Sequence, residues 1–100
     1  MAELNWTDEA STNLEEIFRY IAEDNPDAAR GVVEGIYART RILRDFPLIG
    51  HRYEERPDRE IRILLYGHYR IAYLVRSEDS IDILGVFHGA MDMARWLSDR

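Results

Sequence analysis

A chain of 100 residues, 46% hydrophobic and 32% charged, has the composition of one soluble globular domain with a single core. It contains no cysteine, which excludes disulfides and thiolate metal sites and fits a reducing compartment, so the cytoplasm is the expected location. A formal net charge of −6 weighs against diffuse nucleic-acid affinity, and no apolar run approaches the roughly 20 residues of a membrane helix.

Charge is distributed unevenly. Residues 1–38 hold nine acids against two arginines, residues 39–76 nine arginines against five acids, and residues 77–100 five acids against two arginines. A local cationic surface is therefore available on an acidic molecule. There is no lysine, so no side-chain amine can act as base or Schiff-base nucleophile; the arginines can only bind or stabilise anions. With Glu3, Asp8 and Glu9 near the start and no apolar run, no secretory signal is expected.

Ala2–Trp6 can form a short first strand, with Leu4 and Trp6 on one side. Thr7 then reads as a helix N-cap, followed by Asp8 and Glu9 where the helix dipole favours carboxylates. Ala10, Leu14, Ile17, Phe18 and Ile21 recur at helical spacing and predict a helix over 8–24. Asn25-Pro26 stops it and starts a second, predicted over 26–45, on the stripe Ala29, Val32, Val33, Ile36, Thr40 and Leu43. Gly31 and Gly35 suggest close packing against the first helix. The short connection implies an antiparallel helical hairpin.

Residues 51–58, with Glu54, Glu55, Pro57 and Asp58, read as an exposed loop. Strands are predicted at 59–65, 69–76 and 80–88. Alternation puts Ile61, Ile63, Leu65, Tyr69, Ile71, Tyr73, Val75, Ile81, Ile83 and Phe87 on one apolar face. The opposite face would carry Arg62, Leu64, Arg70, Leu84, Val86 and His88, a mixed apolar and cationic surface suited to a partner. Matching the apolar faces sets Leu65 opposite Tyr69, through a three-residue loop Tyr66-Gly67-His68 with Gly67 left-handed, and Val75 opposite Ile81. Arg70 would then lie between Leu64 and Val86. Met91–Leu97 can form a short terminal helix. The fold class is α+β in the order β-α-α-β-β-β, one domain over 1–100, its helical hairpin on one face of an antiparallel sheet.

The order of these residues resembles the RelE/ParE toxin superfamily, the toxic halves of type II toxin-antitoxin pairs, often called plasmid stabilisation proteins. The resemblance runs from Trp6 through Leu14-Glu15-Glu16-Ile17-Phe18-Arg19-Tyr20-Ile21-Ala22, Asn25-Pro26, Ala28-Ala29, Leu43, Pro47 and Gly50. It is most specific in Arg62, in Tyr69-Arg70-Ile71-Ala72-Tyr73, and in Ile83-Leu84-Gly85-Val86-Phe87-His88-Gly89-Ala90. Met91 departs from the arginine often found after Gly-Ala.

The resemblance implies one of two activities. ParE-like members bind and poison DNA gyrase, and need a recognition surface and a ParD- or RelB-like antitoxin whose tail folds on binding. RelE-like members cut mRNA on the ribosome, and need a base, an acid and cations around one phosphate. On that reading Arg70 and His88 sit where nucleolytic members carry phosphate-contacting and acid/base groups, Glu54 or Glu55 supplies a carboxylate, and Arg62 adds a cation. The absent lysines and acidic charge favour the gyrase branch, with Arg62, Leu64, Arg70, Leu84, Val86 and His88 as partner-binding residues. A third alternative is a degenerate homologue that only binds an antitoxin. Neither cofactor nor metal is expected, since His51, His68 and His88 have no ligand spacing with acids. Read without the resemblance, Arg70 is equally half of an ion pair with Asp82 or Glu60, His88 a strand-end cap, and Glu54 and Glu55 part of a solvated cluster with Arg52 and Arg56.

Overall fold

Two helices pack across one face of a five-stranded sheet in a computed structural model that describes residues 1–89 and 93–98. Helix α1 (Asp8–Ala22) begins where Thr7 adopts extended backbone and its hydroxyl accepts the Ala10 N–H at 3.1 Å. The same hydroxyl donates to the Ile83 carbonyl at 2.8 Å, so one side chain caps the helix and ties it to the sheet. Helix α2 (Pro26–Thr40) starts with Asn25 accepting the Ala28 N–H at 3.1 Å and with Pro26 in its first turn, where a missing N–H costs nothing. It ends sooner than the predicted 45. The buried Thr40 hydroxyl bonds back to the Tyr37 carbonyl at 2.8 Å, and the chain tightens into a 3-10 turn, Arg41–Arg44.

The strands are β1 (Glu3–Trp6), β2 (His51–Arg52), β3 (Ile61–Tyr66), β4 (Tyr69–Ser77) and β5 (Ser80–His88), in the spatial order β1-β5-β4-β3-β2. β1 runs parallel to β5 and every other pairing is antiparallel. β2 lies inside the stretch read as loop: two residues are too few to show an alternation, and only pairing with Ile63 and Arg62 makes them a strand.

Two registers differ from expectation. The β3–β4 loop has two residues, Gly67 and His68, so Tyr66 pairs with Tyr69 and Leu65 with Arg70. Gly67 is left-handed at φ 57° and His68 is not, the arrangement of a tight turn with glycine first, whose twist suits the flanking strands. This turns Leu64 and Tyr66 toward the helices and leaves Leu65 52% exposed. In β5, Gly85 pairs with Ala72 but Ile83 with Tyr73, so Leu84 is an extra residue and the strand's parity inverts across it. Ile81, Ile83 and Val86 therefore share the helix face, and Phe87 moves to the other. Val75 does oppose Ile81.

Each face of the sheet has its own core. Ala10, Leu14, Ile36 and Leu43 close over Leu64, Ile71, Tyr73, Ile81, Ile83 and Val86. On the far side helix α3 (Met93–Ser98) sets Met93 and Leu97 against Ile61, Ile63, Ala72, Leu74 and Phe87. The second face is thus largely covered by the tail; the helix start expected at Met91 falls outside the described residues. Gly35 does mark a close approach, to β3 rather than to α1: a Cβ there would stand 1.9 Å from the Tyr66 hydroxyl, while one on Gly31 meets nothing within 4 Å.

Candidate functional site

The helix face of the sheet ends differently at its two extremes. Toward β2, polar groups are consumed by the fold. Buried Tyr73 donates its hydroxyl to the Pro47 carbonyl at 2.8 Å and accepts the Gly50 N–H at 2.9 Å. Arg62 donates to the carbonyls of Gly50 at 2.8 Å and Leu48 at 3.1 Å, and its Nε reaches Glu60 at 3.2 Å. The Phe46–Gly50 loop is thereby fastened to β3 and β4. Burial holds the Tyr73 phenol above its ordinary pKa, so it stays a neutral donor.

At the opposite extreme a groove of about 460 Å³ opens between α1 and the ends of β4 and β5. Asn13, Ile17, Tyr20 and Ile21 recur at helical spacing along its α1 wall, with Glu16 at the rim. The other wall is Tyr69 and His88, paired in register, their rings edge to face at 5.6 Å. Val86 lies at the floor with no exposed surface of its own. Asn13 faces inward, accepting the Val86 N–H at 3.1 Å just beyond the extra residue of β5, which joins the helix wall to the strand wall. Tyr20 is 79% exposed, unusual for so large an aromatic, and burial raises the Tyr69 phenol above its ordinary pKa. The lining is mostly apolar, with one imidazole, one carboxylate and two phenols. Such a surface grips apolar and aromatic side chains; it lacks the converging cations a phosphodiester needs.

Of the residues expected to form a common surface, Val86 reaches this groove only as its buried floor, and only His88 presents its side chain to it. Leu64 and Val86 are core residues beneath the helices, and half-buried Leu84 packs with the α3 cluster. Arg62 is held by the Phe46–Gly50 loop and Glu60. Arg70 pairs with Leu65 and Phe87 rather than with Leu64 and Val86, so it points to the face away from His88. Neither ion pair suggested for Arg70 forms, because Arg76 takes Asp82 while Arg52 and Arg62 take Glu60. Glu54 is exposed in the loop after β2, and Glu55 accepts the Tyr53 hydroxyl at 3.1 Å. Among the described residues no group of three or more His, Asp or Glu side chains is placed to hold a metal ion. Ile17, Tyr20 and Tyr69 were not foreseen as site residues. Their signal was a large aromatic flanking the apolar stripe of the first helix.

Comparison with known proteins agrees with this architecture. The family model described as ParE toxin of type II toxin-antitoxin system, parDE, matches residues 4–93. A curated Sinorhizobium fredii protein named "Putative toxin Y4kP" is 34% identical over 85 residues, 85% of each chain. Among solved structures, a chain described as the chromosomal ParDE TA system from P. aeruginosa shares the fold at a TM-score of 0.73 and 24% identity, over 88% of this chain and 96% of that one.

Proposed function

Because the chain belongs to the ParE toxin family of type II toxin-antitoxin systems, we propose that it acts by binding: it inhibits DNA gyrase in the cytoplasm by protein–protein contact. A cognate antitoxin neutralises it, with a tail that folds on the toxin surface. The α1–β4–β5 groove is the recognition surface, offering Tyr20, Ile17 and Tyr69 to apolar side chains and His88 as a polar marker.

Dispersal of the nuclease candidates carries this reading over its alternative. Strand cleavage needs base, acid and cations within hydrogen-bond reach of one phosphate. Arg70 and His88 lie on opposite faces of the sheet, Arg62 is engaged with backbone carbonyls, and Glu54 stands on a separate loop.

Induced expression in bacteria tests the proposal. The expected result is growth arrest with an SOS response, accumulated gyrase–DNA cleavage complexes and full-length mRNA. Codon-dependent mRNA cuts with a silent SOS reporter would establish the nuclease instead. Growth without arrest would leave only an antitoxin-binding homologue.

A further inference from the structure

An open pocket of about 340 Å³ lies where β1, α2 and the 3-10 turn meet. Its apolar wall is Leu4, Trp6 and Tyr37, the two rings tilted together at a centroid distance of 4.8 Å. Trp6 is half-buried against the core, while Tyr37 is 39% exposed and keeps ring surface open. Thr40 closes the base with its hydroxyl already given to the Tyr37 carbonyl, so polar recognition must come from the rim. The Ala2 N–H donates to the Arg44 carbonyl at 2.9 Å and fastens the turn to the start of the chain.

The rim carries charges that the fold leaves unused. Glu34, Arg41 and Arg44 are exposed and make no hydrogen bond or ion pair among the described residues. Most other arginines differ: Arg19, Arg30, Arg52, Arg56, Arg62 and Arg76 each hold a carboxylate. Tyr37 stands between Glu34 and Arg41 along the helix, and the two charges do not meet.

These groups follow one another in a fixed order. At about 1.5 Å of rise per residue, Tyr37 stands about 4.5 Å beyond Glu34, and Arg41 about 6 Å beyond Tyr37. The 3-10 turn rises about 2.0 Å per residue with three residues per turn, so Arg44 lies about 6 Å further on the same edge as Arg41. A hydrogen-bond acceptor, an aromatic face and two cations are therefore arranged along one line.

We propose that this pocket binds a single nucleotide. The base lies on Tyr37 beside Trp6, its phosphate is held by Arg41 and Arg44, and the amine at its far edge donates to Glu34. Stacking on an aromatic side chain suits any base, and guanidinium forks match phosphate oxygens in pairs. Inorganic phosphate would leave the rings idle, and an uncharged aromatic ligand would leave the guanidiniums idle. The carbonyl end of α2 also lies here, but its partial charge of about half an electron is outweighed by two full cations. The volume is at the low end of small-molecule pockets, about 300–1,000 Å³, which suits one nucleotide and not a dinucleotide. That nucleotide is either free or an unpaired unit of a single strand, since both present the same base and phosphate.

Adenosine 5′-monophosphate, titrated against the full chain by NMR, tests the site, with adenosine and inorganic phosphate as controls. The expected result is saturable shifts at the Trp6 indole and at the Tyr37 and Arg41 amides, with each control binding at least tenfold more weakly. Arg41→Gln/Arg44→Gln should weaken the monophosphate at least tenfold at an unchanged melting temperature, because neither side chain holds a partner. Arg41→Lys/Arg44→Lys keeps the charge without the fork and should fall between. If the glutamine pair fails to fold, the lysine pair and the three ligands on the parent chain still decide. A single-stranded oligoadenylate identifies the source: tighter binding than the monophosphate points to a strand, weaker binding to a free nucleotide, and either supports the site. Adenosine or phosphate binding as well as the monophosphate, undiminished binding by a folded arginine variant, or no shift at millimolar monophosphate would each overturn it. The site is independent of gyrase and antitoxin. Harmlessness on expression would sink the proposed function and leave nucleotide binding intact, while an inert nucleotide would remove this site and leave toxicity intact.

Discussion

The two extremes of the helix face use similar residues to opposite ends. Near β2, Tyr73 and Arg62 satisfy backbone groups of the Phe46–Gly50 loop, and their polar atoms belong to the interior. Near the α1 groove, Tyr20 presents its ring to solvent, and half-buried Tyr69 lines the opposite wall beside His88. A tyrosine or arginine on a strand face is thus neither structural nor functional by type. What decides is whether a neighbouring segment supplies carbonyls for it. The comparison can be broken by substitutions that should affect stability at one extreme and recognition at the other.

Tyr73→Ala should have the largest effect, about 3–5 kcal/mol, by emptying a core volume and stranding two backbone groups. Tyr73→Phe keeps the volume and strands only the Pro47 carbonyl and the Gly50 N–H, at about 1–3 kcal/mol; urea unfolding should show a lower midpoint at unchanged slope. The same phenol sets an alkaline limit. Burial raises the folded pKa of Tyr73 and Tyr69 above 10.0, so the folded chain keeps protons that the unfolded chain releases. Their contribution is complete below about pH 10 and is lost as pH rises through the folded values. Tyr73→Phe should flatten that loss in thermal unfolding measured across alkaline pH.

Smaller effects sharpen the contrast. Gly31→Ala should stabilise by about 0.5–1 kcal/mol, because the added methyl meets open space within a helix, whereas Gly35→Ala should destabilise by driving Tyr66 aside. Tyr20→Ala should leave unfolding within about 0.5 kcal/mol of the parent, yet weaken partner binding tenfold or more in a pull-down or calorimetric titration.

The caps and helices were legible because their signals are local: Thr7 and Asn25-Pro26 act within one turn. The spans of β1, β3, β4 and β5, though not of the two-residue β2, were legible for the same reason, but facing was not. β3 is apolar on both sides, with Ile61 and Ile63 on one and Leu64 and Tyr66 on the other, so alternation cannot say which side meets the helices. Loop length decides, and the two-residue Gly67-His68 turn reversed the expected choice. The extra Leu84 then broke the parity linking Ile83 to Phe87, an irregularity that the packing of two strands and Asn13 imposes together. This is why Leu64 and Val86, expected at a binding surface, are interior. The same inversion carries His88, expected on the face away from the helices, to the helix side beside Tyr69.

The central claim, action by binding through the α1 groove, is tested most directly by a gyrase supercoiling assay with the purified chain and with Tyr20→Ala. The account expects the parent to inhibit supercoiling and trap cleaved DNA, and Tyr20→Ala to lose that inhibition at an unchanged melting temperature. A parent that leaves gyrase untouched while cutting mRNA on ribosomes, or a Tyr20→Ala chain that inhibits as strongly as the parent, would contradict it.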